Sequence, residues 1–140
     1  MTSSQNPPSQ SNKTIVAFLD GRRLKGYIYN FSAIKNSFRL LPAEDPFHQK
    51  GIEVEMKDLK AVFFVKDFVG DPDHQRVPLA ELPKHGRKIE VIFSDGEVIQ
   101  GATETYNSQK PGFFMFPADS NSNNLRIFIV NSNVREVKNL

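Results

Sequence analysis

Val16-Ala17-Phe18-Leu19-Asp20-Gly21-Arg22-Arg23-Leu24-Lys25-Gly26 returns 75 residues later as Val91-Ile92-Phe93-Ser94-Asp95-Gly96-Glu97-Val98-Ile99-Gln100-Gly101. At the same offset Lys13 meets Lys88, Lys35 meets Lys110, Phe38 meets Phe113, Pro42-Ala43 meets Pro117-Ala118, Ile52 meets Ile127 and Val62 meets Val137. Residues 13–65 and 88–140 align without a gap, with 12 identities in 53 pairs, and conservative pairs such as Leu24/Ile99, Phe31/Tyr106 and Val54/Ile129 extend the match. An ungapped match of this length marks a tandem duplication, which has to be recognised before any fold is argued.

Within each repeat the apolar residues alternate. Val16 and Phe18, Phe38 and Leu40, Ile52 and Val54 sit at spacing two, and so do Val91 and Phe93, Phe113 and Met115, Ile127 and Ile129. That is the period of half-buried strands, and no window sustains a helical period. Asp20-Gly21 and Asp95-Gly96 are hairpin signals, because glycine accepts a positive φ without steric cost. Gly26 and Gly101 fall inside the following strand, where a glycine marks a bend or bulge. The expected fold is all-β, two tandem five-stranded barrels of the SH3 type packed together, each built from short strands. The organisation that follows is a disordered Ser/Gln/Asn/Pro tail over 1–12, a first barrel over 13–65, a linker over 66–87 and a second barrel over 88–140. Leu79-Ala80-Glu81-Leu82 is expected to form one helical turn in the linker.

The run from Val16 to Phe31 resembles the first motif of Sm-like barrels, and the run from Val91 to Tyr106 is similar. The resemblance implies a nucleobase-binding role for Asn36. Ser32, Asn107 and Pro111 stand at the other positions of the pattern, where the family's Asp and Asn do not recur. The stretch Asp58-Leu59-Lys60-Ala61-Val62-Phe63-Phe64-Val65 also resembles an uncharacterised bacterial family of duplicated small barrels.

Composition excludes several classes. The 140 residues carry 18 Lys+Arg against 16 Asp+Glu, a formal charge of +2, and no cysteine, so disulfides, thiol nucleophiles and zinc–thiolate centres are ruled out. No run approaches the roughly 18 apolar residues of a membrane helix, and residues 1–12 hold no apolar signal segment; the expectation is a cytoplasmic protein without a membrane partner. His48, His74 and His85 have no ligand spacing, and Asp71-Pro72-Asp73-His74 lacks the closing Glu of a calcium loop. Asp20 and Asp95 are accounted for by the turns they begin. Phosphate-cradling and nucleophile-elbow motifs do not occur in the sequence. The expectation is a protein that is not an enzyme and needs no cofactor.

Binding residues come from the differences between the repeats. Residues 13–65 hold nine Lys/Arg and six Asp/Glu, net +3, whereas 88–140 hold five and six, net −1. The excess gathers at Arg22, Arg23 and Lys25 beside Tyr27 and Tyr29, a basic and aromatic set that neutralises phosphate and stacks bases when it binds single strands. In the second repeat Phe114, Phe116, Phe128 and Val130 lie out of phase with the core positions, where the first repeat has Arg39, Leu41, Glu53 and Glu55. This second apolar face needs a cover, because about 25 cal/mol is gained per Å² buried. The expectation is burial between the two repeats; a partner surface is the alternative. At Phe63-Phe64-Val65, then Phe68-Val69, alternation stops, so the strand is covered on both sides or its end packs into the interface between the repeats. The functional expectation is a non-catalytic adaptor that engages another protein through strand edges or the Arg22–Tyr29 hairpin. The alternative is an RNA or single-stranded nucleic-acid module using Arg22, Arg23, Lys25, Tyr27, Tyr29 and Asn36.

Overall fold

The computed structural model describes residues 13–29, 31–44, 51–69, 86–117 and 123–140. The expected tail over 1–12, the Leu79–Leu82 turn, the three histidines and Asp71–His74 lie outside the described residues. Ten strands follow in chain order: β1 (Lys13–Phe18), β2 (Arg23–Ile28), β3 (Ser37–Pro42), β4 (Ile52–Glu55), β5 (Leu59–Val65), β6 (Arg87–Phe93), β7 (Val98–Thr103), β8 (Gly112–Pro117), β9 (Asn124–Val130) and β10 (Val134–Asn139). Single 3-10 turns, Met56–Asp58 and Asn131–Asn133, lead into β5 and β10. The protein is all-β, with no α-helix among the described residues.

The duplication is visible bond by bond. Phe18 N–H donates to the Arg22 carbonyl and Phe93 N–H to that of Glu97; Leu19 N–H donates to Asp58 and Ser94 N–H to Asn133; Met56 N–H donates to Asn36 and Asn131 N–H to Pro111. Each pair of bonds is separated by the sequence offset. The hairpin glycines agree as well, with Gly21 at φ 94° and Gly96 at φ 93°. In the first hairpin an Asp20 carboxylate oxygen accepts from Arg22 N–H, and in the second Asp95 accepts from Glu97 N–H, both at 2.9 Å.

The pairing differs from two closed barrels. All ladders are antiparallel and run as one open ten-stranded sheet, β10-β6-β7-β8-β9-β5-β1-β2-β3-β4. Among the described residues no ladder joins β4 to β5 or β9 to β10. The reason lies in β5. It pairs with β1 on one side and with β9 on the other, through Ala61↔Ile129, Val62↔Phe128 and Phe63↔Ile127, so it has no edge left for β4. A strand of the second repeat fills the place that closure within the first would need.

That junction gives β5 its composition. Every residue from Leu59 to Val65 is buried, because the strand has a core on each face. Val62 and Phe64 join Val16, Phe18, Phe38, Leu40 and Val54 in one cluster; Ala61, Phe63 and Val65 join Val91, Phe93, Phe113 and Met115 in the other. Strand β9 reciprocates: Ile127 and Ile129 stay in the second cluster, while Phe128 and Val130 enter the first. Burying side chains of this size is worth on the order of 1.5–3 kcal/mol each, so the two repeats are one folding body rather than beads on a string.

Gly101 is required where β7 passes β8. A Cβ there would sit 2.2 Å from the Phe116 carbonyl oxygen, a backbone atom that cannot give way without breaking the ladder. Ile52 departs from expectation. Alternation puts it on the same face as buried Val54, but β4 is an edge strand and Ile52 is exposed, whereas β9 is flanked on both sides and its counterpart Ile127 is buried.

A buried cation ties the repeats together. Lys60 Nζ on β5 donates to Asp95 Oδ2 at 2.7 Å and to Glu97 Oε1, and lies over the Phe93 ring. Burial works against its charge, but the two carboxylates outweigh that and hold its pKa above the ordinary lysine value. Asn133 Nδ2 donates to the Leu59 carbonyl across the same junction.

Candidate functional site

The hairpin set does not assemble into one surface site. Asp20 begins the β1–β2 turn, and Arg22 Nε donates to its Oδ2 at 2.7 Å while the Arg22 guanidinium lies 4.5 Å over the Phe18 ring. The Arg22 N–H bond, followed by the guanidinium bond, lowers the Asp20 pKa. Arg23 lies over the Phe63 ring at 5.4 Å, and Tyr27 packs edge-on against Phe68 with centroids 5.5 Å apart. Three of the six residues therefore have partners within the chain. Lys25 and Tyr29 reach solvent, and Asn36 sits in the loop after β2, in a different setting.

Asn36 belongs to a groove where the two repeats meet. It holds about 380 Å³ and is lined by Asn36, Met56 and Lys57 from the first repeat and by Ser108, Lys110, Pro111, Val130, Asn131 and Ser132 from the second. Backbone bonds fix both walls. On one side Met56 N–H donates to the Asn36 carbonyl at 2.8 Å; on the other Asn131 N–H donates to Pro111 at 2.9 Å. Asn131 Nδ2 adds bonds to the Asn107 and Lys110 carbonyls, both 2.9 Å, which pin the β7–β8 loop. The floor is apolar, from Met56, Pro111 and Val130. The rim is polar and basic, from Lys57, Lys110, Asn36, Ser108 and Ser132. The lining thus combines apolar side chains with amines, amides and hydroxyls. Charge counting misses it, since Lys57 and Lys110 are far apart in sequence and are not counterparts under the repeat.

The outward apolar set of the second repeat separates into parts. Phe128 and Val130 are buried in the first cluster. Phe114 is half-buried against the same cluster, within a T-shaped aromatic array with Phe31 and Phe128. Phe116 stays 45% exposed. Among the described residues no group of three or more His, Asp or Glu side chains is arranged to hold a metal ion. No helix among them is long and apolar enough to cross a membrane.

The family profile described as a family of unknown function, DUF6982, matches residues 10–140, and the chain belongs to that family. No curated protein matches the chain, and no solved structure does.

Proposed function

We propose that this member of DUF6982 is a non-catalytic cytoplasmic binding protein that engages another protein at the inter-repeat groove, with each set of five strands acting as an Sm-like barrel unit whose wall is shared. The strand orders β5-β1-β2-β3-β4 and β10-β6-β7-β8-β9 support the barrel reading, since both repeats run in the same cyclic order around their own cores. The observation that carries the functional reading is the groove: two rigid loop walls, an apolar floor and a rim of amines, amides and hydroxyls. Convergent polar groups above an apolar floor are the usual make-up of a recognition site. Strand edges are the weaker docking surface. β4 exposes Glu53 and Glu55, and β10 exposes Arg135, Glu136 and Lys138, charges that blunt an edge against added strands.

A photo-crosslinking residue in place of Ser108 tests this. Discrete protein adducts are expected from the source cells, reduced at least about tenfold by Lys57→Glu with Lys110→Glu, as charge reversal on both walls demands. The same adducts from a crosslinker at Val98, on the exposed β6–β7 hairpin, would reject the groove. The second reading, single-stranded nucleic acid, is favoured by Lys57 and Lys110 lining the same groove as Asn36. It requires binding of a short single-stranded RNA to weaken with salt at a log–log slope of about −1.4 for two neutralised phosphates. RNA affinity that is absent at low salt disposes of it.

A further inference from the structure

Arg126 occupies an unusual setting on β9. Its guanidinium lies 4.5 Å over the Phe64 ring and 4.5 Å over the Phe114 ring, and the two ring centroids are 6.0 Å apart. Burial lowers its pKa from the ordinary arginine value, and no carboxylate pairs with it among the described residues. The β8–β9 register, Phe114↔Phe128 and Met115↔Ile127, continues to set exposed Phe116 opposite Arg126 on the same face. The apolar face that begins under the first repeat at Phe128 thus emerges into solvent as Phe114, Arg126 and Phe116.

We propose that this patch anchors a carboxylate-bearing segment of a partner protein, an acidic side chain flanked by apolar ones. Both rings contact the guanidinium while Arg126 itself stays exposed, so its N–H donors are left for a ligand. A planar fork of donors matches a carboxylate bidentately, and a partly desolvated cation strengthens that bond. Contact with two rings also lowers the rotamer entropy that an arginine ordinarily loses on binding. A phosphodiester strand needs several cations along its path. Here one cation stands among rings, so the complementary ligand pairs one negative charge with apolar surface. Arginine and aromatic residues are also the types enriched where protein interfaces concentrate their binding energy. The patch is independent of the groove, since neither Arg126, Phe64, Phe114 nor Phe116 lines that space.

The test is a titration of the isotope-labelled full chain with a capped Leu-Glu-Phe-Glu-Leu peptide, following the Arg126 Nε–Hε resonance and the Phe116 ring. Saturable shifts of both are expected. Arg126→Gln is expected to weaken binding at least about tenfold. Arg126→Lys, which keeps the charge but loses the planar fork, falls between the two. Val98→Ala, on the β6–β7 hairpin, leaves the affinity unchanged. Absence of shifts at Arg126, or an Arg126→Gln protein that binds as well as the parent, overturns the assignment. Should the Gln variant lose its fold, parental affinity in the Lys variant overturns it instead. Tighter binding of a short single-stranded RNA at the same resonance would replace the acidic segment with nucleic acid and reject the proposal.

Discussion

Phe128→Ala is expected to lower the unfolding free energy by about 3–5 kcal/mol in a denaturant titration, the range for removing a buried phenylalanine side chain. Phe128 comes from the second repeat but fills the core of the first, opposite Val62 and against Phe31 and Phe114. Its loss leaves a cavity beside Val62, Phe31 and Phe114 that the surrounding strands cannot close, because β5 is held on both sides. The parent protein should unfold in one transition, with the midpoint shifted and the slope unchanged in the variant. Two separate transitions, with only the second affected, would mean that the repeats do not share a core.

The second large effect concerns assembly. Shifted by the repeat offset, the β5·β9 junction predicts how β10 of one copy would meet β4 of another: Glu136 opposite Val54, Val137 opposite Glu53 and Lys138 opposite Ile52. At this outer junction Glu53 and Glu55 would take the buried places of Phe128 and Val130, and Glu136 and Lys138 those of Ala61 and Phe63. Continuing the register sets Arg135 opposite Glu55, but desolvating such a pair costs as much as its attraction returns. The parent is therefore expected to sediment as a monomer. A protein carrying Glu53→Phe and Glu55→Val, and another carrying Glu136→Ala and Lys138→Phe, should each stay monomeric and form a dimer when mixed, since the two edges are complementary and not alike. Edge association by the parent, or no dimer on mixing, contradicts this account of the edges.

The strands were legible in the sequence because alternation and Asp-Gly turns are local signals. Val16/Phe18 and Val91/Phe93 do occupy matching places in their respective clusters. The choice between closure and sharing was not local. Both repeats present the same five strands, so the pattern within a repeat is the same whether β5 turns to β4 or to β9. The deciding signal was the contrast of Glu53 and Glu55 with Phe128 and Val130, together with the unbroken apolar run Phe63-Phe64-Val65. It pointed to an outward face without saying which strand lay against it. Charge counting misled at the hairpin for a related reason. It treats Arg22 and Arg23 as available, whereas Asp20 and the Phe18 and Phe63 rings engage them. Lys60 carries no local signal, since its partners Asp95 and Glu97 belong to the other repeat.

Backbone nuclear Overhauser contacts across β5 and β9 measure the shared wall most directly. The account predicts contacts between Ala61 and Ile129 and between Phe63 and Ile127, and slow amide exchange along both strands. Contacts that instead join β5 to β4 and β9 to β10 would describe two self-closed halves and contradict it.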